Sequence, residues 1–312
     1  MAGSLGLGWG AAAQPADYPN RPIRIVSGFA AGGVNDVLAR VVGQHLERRW
    51  GQPVVVDARP GASAAVAEAY VARSAPDGYT ILIAQSNHAT NQFLQRNYPL
   101  DAKRDFASIV LIGRFPAVLS AAANVQARSL PEVLDDIRSG RRNYTYGSSG
   151  AGGMLHLAGE LLALRAGVEL THVPYRGGSA ALNDLVAGQL PLQFTTIGLI
   201  TPFHREGRVR SLAVAAEQRS PALPDVPTFV ELGFPDVVVH EWYALVAPAG
   251  TPRPIIDKWN REVRDIMTLP DIPQRAAGIE LAGGTPEDLD SFIQTEMDRW
   301  SSIIAAVRLT VD

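Results

Sequence analysis

The sequence contains no cysteine, which excludes disulfide bonds and thiol catalysis. It also lacks any apolar run of about 20 residues, the length that a membrane-spanning helix requires. Neither sign of charge dominates: 28 basic and 31 acidic residues leave a net charge of −3, so we expect no general attraction to nucleic acid or to anionic membranes. The 312 residues, 46% of them apolar, are enough for roughly two globular domains of ~150 residues each.

The N-terminus is small and apolar, and it becomes polar after Ala11-Ala12-Ala13. This pattern is typical of the distal part of a secretory signal peptide with an A-x-A cleavage site before Gln14. The positively charged start of such peptides is missing. We therefore expect residues 1–17 to be a signal-peptide remnant, which indicates export to the periplasm, or a disordered tail.

One early stretch predicts a strand, a glycine turn and a helix in succession. β-forming residues predict the strand from Ile23, the Ala30–Gly33 segment interrupts it, and apolar residues recur at helical spacing from Val37. We expect Asn35 or Asp36 to cap this helix, because their side-chain oxygens accept hydrogen bonds from first-turn amides.

A glycine turn between a strand and a helix is a candidate anion site. Its amides have no partner inside the helix, and the positive end of the helix dipole lies beside them. Such a turn is also a common structural connection in α/β sheets. Its sequence therefore does not show whether the turn binds an anion or only connects the strand to the helix. In a binding role, an aromatic ring would contact the apolar part of a ligand and amides would hold its carboxylate. The candidate residues are Phe29, Ala31, Gly32 and Gly33.

A second strand, glycine turn and helix follow at residues 144–160. Gly147–Ala151 approximates the G-x-S-x-G nucleophile elbow, so the alternative function is an α/β serine hydrolase with Ser148 or Ser149 as nucleophile. The dinucleotide motif G-x-G-x-x-G is not met. We favour carboxylate binding by hydroxyls and backbone amides. The candidate residues are Ser148, Ser149, Gly150, Gly152 and Gly153.

Other polar residues follow predicted strands, at the edge where α/β sheets bind ligands. These candidates are Ser86 and Asn87, then Tyr175, Gly177, Gly178 and Ser179, and finally Thr195 and Thr196. The six histidines show no metal-ligand spacing, so we expect no metal site. No motif indicates a cofactor or a catalytic residue.

Strands and helices alternate along residues 23–84 and again along residues 144–216. This pattern predicts an α/β protein with parallel strands covered by helices, organised as two domains.

Six segments together resemble the Bug or TctC receptors, the extracytoplasmic solute-binding proteins of tripartite tricarboxylate transporters. The segments occur in the family's order and span nearly the whole chain. They are YPNRPIRIVSGFAAGGVNDVLAR (18–40), GQPVVVDARPGASAAVAEAYVARSAPDGYTIL (51–82), YTYGSSGAGGMLHLAGELL (144–162), HVPYRGGSAALNDLVAGQL (172–190), ALPDVPTFVELGFP (222–235) and WYALVAPAGTP (242–252).

The resemblance implies a two-lobed type II periplasmic-binding-protein fold with a ligand cleft between the lobes. Lobe 1 would comprise residues 18–123 and 245–312, and lobe 2 residues 124–244. It further implies a monomeric, non-enzymatic receptor that captures a small carboxylate without a cofactor. The receptor would deliver this ligand to the membrane components of a tripartite tricarboxylate transporter, or act as an orphan sensory receptor for a signalling partner.

Overall fold

The computed structural model describes residues 18–272 and 278–311. The tail expected at residues 1–17 lies outside these ranges. The strands are β1 Ile23–Ser27, β2 Val54–Ala58, β3 Thr80–Gln85, β4 Phe106–Ala122, β5 Thr145–Ser148, β6 Thr171–Pro174, β7 Leu192–Thr196, β8 Val209–Val214, β9 His240–Pro248 and β10 Glu280–Gly283. The helices are α1 Val34–Trp50, α2 Ala65–Ala72, α3 Asn87–Leu94, α4 Leu130–Arg138, α5 Met154–Ala166, α6 Gly178–Val186, α7 Ile197–Arg205, α8 Arg253–Met267 and α9 Pro286–Val307.

The strands form two halves of one curled sheet, and each half is the centre of a lobe. The first half has the order β2-β1-β3-β9-β4, with β10 also paired to β4. In the second half β4 pairs with β7 and β8, and the order continues through β5 to β6. Strands β1, β2 and β3 run parallel to one another, as do β5, β6 and β7. The prediction of an α/β protein with parallel strands covered by helices is confirmed.

Strand β4 passes from one lobe into the other. Its residues 106–116 pair with β9, whereas residues 117–122 pair with β7 and β8. The chain returns to the first lobe at His240, the first residue of β9. Because both sheet halves share one 17-residue strand, the lobes are joined by extended backbone.

The C-terminal helix α9 contacts both lobes. Leu289 and Ile293 are buried in the core on one face of the first half-sheet, whereas Trp300 and Ile304 are buried in the core of the second lobe. None of the helices in residues 18–272 and 278–311 is long and apolar enough to cross a membrane.

The starts of α9 and α1 differ in how far the local sequence specifies them. Helix α9 begins with a capping box of Thr285 and Asp288. The predicted cap of α1 by Asn35 or Asp36 is wrong: Gly33 is the N-cap, and it makes no side-chain cap hydrogen bond. The Asp36 carboxylate instead accepts from the Gly32 amide, outside the helix.

Candidate functional site

The first glycine turn connects β1 to α1. Phe29 is half-buried there, and Ala31, Gly32 and Gly33 are exposed. The Gly32 amide donates to Asp36 Oδ2 at 3.1 Å, so this amide already has a partner. The Ala31 and Gly33 amides have no hydrogen-bond partner within residues 18–272 and 278–311. These two amides, at the start of a 17-residue helix, are the ones open to an anion.

A left-handed turn packs against this glycine turn. Ala62, Ser63 and Ala64 have φ angles of 46°, 50° and 72°, a region that residues other than glycine rarely adopt. A Cβ atom at Gly28 would lie 2.2 Å from the Cβ of Ala64. Only glycine at position 28 therefore lets the two loops approach this closely.

Helix α3 holds the left-handed turn through one polar face. Asn87 and Asn91 both donate to the Ser63 carbonyl, and Gln95 donates to the Ala62 carbonyl at 3.1 Å. Asn87 is 3% exposed, and its Oδ1 has no partner in the part of the chain that the structure describes. A buried acceptor without a partner costs free energy that a bound water or ligand would recover.

Two of the contacts between the lobes involve loops beside the cleft. On one side, the Ser63 hydroxyl donates to the Ala151 carbonyl in the second glycine turn, at 3.3 Å. On the other side, Gly278 lies so close to α7 that a Cβ atom there would be 3.0 Å from the Gly198 backbone. The first contact brings the left-handed turn, and with it the first glycine turn, against the second glycine turn.

The second glycine turn connects β5 to α5, and Gly153 is the N-cap of this helix. Gly150 and Gly152 have φ angles of 156° and 73°. The Gly152 amide donates to Nδ1 of His156 at 3.0 Å, so a side chain of the helix fixes the turn. Ser149 is half-buried, and its carbonyl accepts from the Gly177 amide at 3.1 Å.

Ser148 lies beneath this turn and not in the open cleft. Its side chain is fully buried, and its Oγ bonds to the Gly150 carbonyl at 2.9 Å and to Nε2 of His172 at 2.8 Å. Burial and the neighbouring His156 imidazole lower the pKa of His172 to about 4. Ser148 thus supports the turn and presents no hydroxyl to a substrate, which argues against Ser148 as the nucleophile of a hydrolase.

A third glycine turn connects β6 to α6. Gly177 is the N-cap, Gly178 is the first helical residue, and Ser179 is exposed. The Tyr175 hydroxyl donates to Asp184 Oδ2 at 2.8 Å, and its ring packs over Gly147. Tyr175 therefore supports the strand–helix junction with its polar end turned toward α6.

Strand β7 ends beside the start of α6. Gln193 donates to the Gly178 carbonyl at 3.0 Å, and Thr195 Oγ1 lies 3.7 Å from the position that a Gly178 Cβ would occupy. Both side chains are buried, and Gln193 Oε1 and Thr195 Oγ1 have no partner among the described residues. Thr196 is 8% exposed and is the N-cap of α7.

Sequence reasoning missed two polar residues of this region, Ser63 and Gln193. A glutamine inside the apolar segment LQFTT was the available signal for Gln193. Ser63 gave no such signal, because its role depends on a contact with residue 151.

Ser86 is engaged by the strand that returns to the first lobe. Its hydroxyl donates to Glu241 Oε1 at 2.6 Å and accepts from the Trp242 amide at 3.0 Å. Burial raises the pKa of Glu241 to about 7, although the Ser86 and Gln85 side chains both lower it. Ser86 and Glu241 form a buried pair where the two lobes join.

In residues 18–272 and 278–311, no group of three or more histidine, aspartate or glutamate side chains is arranged to hold a metal ion. The polar groups at the cleft are backbone amides, hydroxyls and carboxamides. Such groups bind an anion by donating hydrogen bonds and need no metal.

The family model described as tripartite tricarboxylate transporter family receptor matches residues 38–309. A UPF0065 protein of Pseudomonas sp., from the tcbD-tcbE intergenic region, is 37% identical over 95% of this chain and 89% of its own length. Protein BugT of Bordetella pertussis is 32% identical over 92% of this chain and 89% of its own length.

Solved structures agree in fold over almost the whole chain. An R. palustris protein with adipate is 33% identical, with a TM-score of 0.86, and the match covers 94% of this chain and 99% of that one. MatC from Rhodopseudomonas palustris, with bound malate, is 30% identical, with a TM-score of 0.83, and the match covers 92% and 100%. Periplasmic binding protein BugD is 29% identical, with a TM-score of 0.84, and the match covers 94% and 99%.

These matches confirm the predicted two-lobed binding-protein fold, and they identify a solute-binding receptor and not an enzyme. The chain belongs to the tripartite tricarboxylate transporter receptor family.

Proposed function

We propose that this protein captures a small carboxylate between its lobes. The observation that carries this proposal is the hydrogen bond from Ser63 to Ala151, which brings the loops of the two lobes together. Each loop region contains the start of a helix, and both helix dipoles favour an anion between them. The malate and adipate seen in two structural neighbours are also small carboxylates, which supports this ligand class.

The proposed site combines backbone and side-chain donors from both lobes. The Ala31 and Gly33 amides and the Asn87 side chain come from the first lobe. The second and third glycine turns supply Ser149, Gly153, Gly178 and Ser179, and the end of β7 supplies Thr195 and Thr196. Phe29 and Tyr175 would flank the apolar part of the ligand. Other groups would support the site, because each already has a partner inside its own lobe. They are the amides of Gly32, Gly150, Gly152 and Gly177 and the hydroxyls of Ser86 and Ser148.

Closure of the cleft would couple binding to a change of conformation. A ligand held by amides of one lobe alone would have no preference for the closed state. Because a carboxylate between the lobes uses donors from both, it binds the closed state more tightly and shifts the equilibrium toward it. For the lobe boundaries we propose the two strand crossings, near residues 116 and 239, in place of residues 123 and 244.

We place the receptor in the periplasm as a monomer that delivers its ligand to the membrane components of a tripartite transporter. The family to which the chain belongs supports this role. The test is uptake of the bound acid by membrane vesicles that contain the transporter components, with and without the purified receptor. Uptake that does not depend on the receptor would favour a sensory role.

Thermal unfolding against a panel of small carboxylic acids and their amides tests the binding proposal. The protein is first unfolded and refolded to remove any resident ligand. An acid present at 100 times its dissociation constant is expected to add about 2.7 kcal/mol of stability, and the matching amide is expected to add much less. Equal shifts with an acid and its amide would contradict carboxylate recognition.

A further inference from the structure

His156 lies at the centre of a polar cluster beneath the second glycine turn. Its Nδ1 accepts from the Gly152 amide at 3.0 Å, and its Nε2 lies 3.4 Å from Glu160 Oε1. Glu160 also accepts from the Tyr146 hydroxyl at 2.8 Å. The His172 ring stacks on the His156 ring, with 3.7 Å between the ring centroids.

The hydrogen bonds fix the protonation state that the turn requires. An imidazole nitrogen accepts an amide proton only when it carries no proton itself. Nδ1 of His156 must therefore be bare, and the ring proton lies on Nε2, which faces Glu160. A second proton on His156 would sit on Nδ1, directly opposite the Gly152 N–H, and would break this hydrogen bond.

The hydrogen bond to His156 acts on a turn that also contacts the first lobe. Gly152 is in the left-handed region, at φ 73°, and is buried against Leu94 and Val311 of the first lobe. Ala151, the preceding residue, accepts the Ser63 hydroxyl from the first lobe. A change at the Gly152 amide therefore reaches both the proposed carboxylate site and the contact between the lobes.

We propose that His156 is a positioning residue that holds the second glycine turn in its anion-binding form only while its imidazole is neutral. Carboxylate affinity then falls as the pH drops through the range in which histidine titrates. This inference rests on the proposed function, because it concerns the same turn.

Titratable groups face His156 from its own helix α5 and from strands β5 and β6. Glu160 on the same helix favours its protonation, and the stacked His172 on β6 opposes it when charged. Burial and His156 itself lower the pKa of His172 to about 4, so His172 stays neutral above that pH. Burial and Glu160 keep the Tyr146 hydroxyl of β5 protonated by raising its pKa. Because Nδ1 of His156 is the atom that accepts the Gly152 amide, protonation of His156 acts directly on the turn.

The test uses the variants H156N and H156L and the control H204N. An asparagine oxygen takes the place of Nδ1 and accepts from the Gly152 amide, but it does not titrate. Leucine removes the acceptor at every pH. His204 is a matched control, because its Nδ1 also accepts a backbone amide, that of Ser211 at 3.1 Å, but on a different helix.

The first measurement needs no ligand. The amide of Gly152 is followed by nuclear magnetic resonance from pH 8 to pH 5, together with the imidazole of His156. In the wild type and in H204N, the amide signal is expected to titrate with His156. The protection of this amide from exchange, relative to the intrinsic exchange rate at each pH, is expected to fall. In H156N, both changes are expected to disappear. A Gly152 amide that ignores the His156 titration would overturn the proposal.

The second measurement is adipate affinity at pH 5 and pH 7.5. Loss of one structural hydrogen bond corresponds to about a tenfold weaker affinity at the lower pH for the wild type, beyond any change in H156N. Protonation of adipate itself changes the affinity of every variant equally, so it does not affect the comparison between variants. H156L is expected to bind weakly at both pH values. Equal pH profiles for the wild type and H156N would overturn the proposal. Absence of adipate binding in every variant would count against the proposed function, and the Gly152 measurement would still decide the role of His156.

Discussion

Glu241 offers a direct test of the energetics where the two lobes join. Its carboxyl is 3% exposed on the returning strand β9, and the Ser86 hydroxyl donates to it at 2.6 Å. Burial raises its pKa from the ordinary 4.5 to about 7. The folded protein thus holds this proton more tightly than the unfolded chain does. Its contribution to stability is fully present below pH 4.5 and is lost as the pH rises through about 7.

The size of the effect follows from the same two values. The gap between 4.5 and about 7, at about 1.4 kcal/mol per pH unit, corresponds to about 3 kcal/mol. The variant E241Q keeps an acceptor for the Ser86 hydroxyl and cannot ionise. We expect the free energy of unfolding of E241Q to lie within about 1 kcal/mol of the wild-type value at pH 5. At pH 8.5 we expect it to exceed the wild-type value by up to about 3 kcal/mol.

Urea unfolding at pH 5, 7 and 8.5 measures this difference. The comparison at each pH removes the contributions of other titrating groups, such as His172 and His240, which both variants share. E132Q is a matched control, because Glu132 also accepts a serine hydroxyl, from Ser129 at 3.1 Å, but at an exposed site. If the free energies of unfolding of E241Q and the wild type differ by the same amount from pH 5 to pH 8.5, the raised pKa of Glu241 is refuted.

Three glycine and alanine positions give further predictions. G152A is expected to lower the free energy of unfolding in urea by about 3 kcal/mol, because it adds a side chain at a left-handed residue in a packed site. The control G167A, at a left-handed residue in an open site, is expected to lower it by about 1 kcal/mol. Equal losses would contradict the packing argument. G159A is expected to cost about 3 kcal/mol, because its Cβ would lie 2.2 Å from the Tyr146 ring; a neutral effect on the thermal midpoint would disagree with this contact. A62G is expected to stabilise the protein by about 0.5 kcal/mol and A62V to destabilise it, because Ala62 is exposed and has a φ angle of 46°. If both variants shift the thermal midpoint in the same direction, backbone strain at residue 62 is contradicted.

The parts of the fold that follow from local chemistry could be predicted from the sequence. The glycine turn before α5 was found because glycine is required where φ is positive, as at Gly152. The start of α9 follows from the local sequence, because Thr285 and Asp288 form a capping box within one turn. Both signals lie within a few residues of the structure that they specify.

The parts that depend on distant contacts could not be predicted. Helix α3 was not predicted, because its sequence NHATNQFL has no clear apolar period. Its side chains Asn87 and Asn91 bond to the Ser63 carbonyl. The hydrogen bond from Ser63 to Ala151 joins residues 88 positions apart in the chain, and no local pattern reports such a pair.

The most direct test of the central claim is a crystal structure of the refolded protein with the acid that gives the largest thermal shift. We expect its carboxylate oxygens within hydrogen-bond distance of amides in the 31–33 segment of the first lobe and in the 149–153 segment of the second. An acid that binds outside the cleft, or that contacts the amides of one lobe only, would contradict the claim.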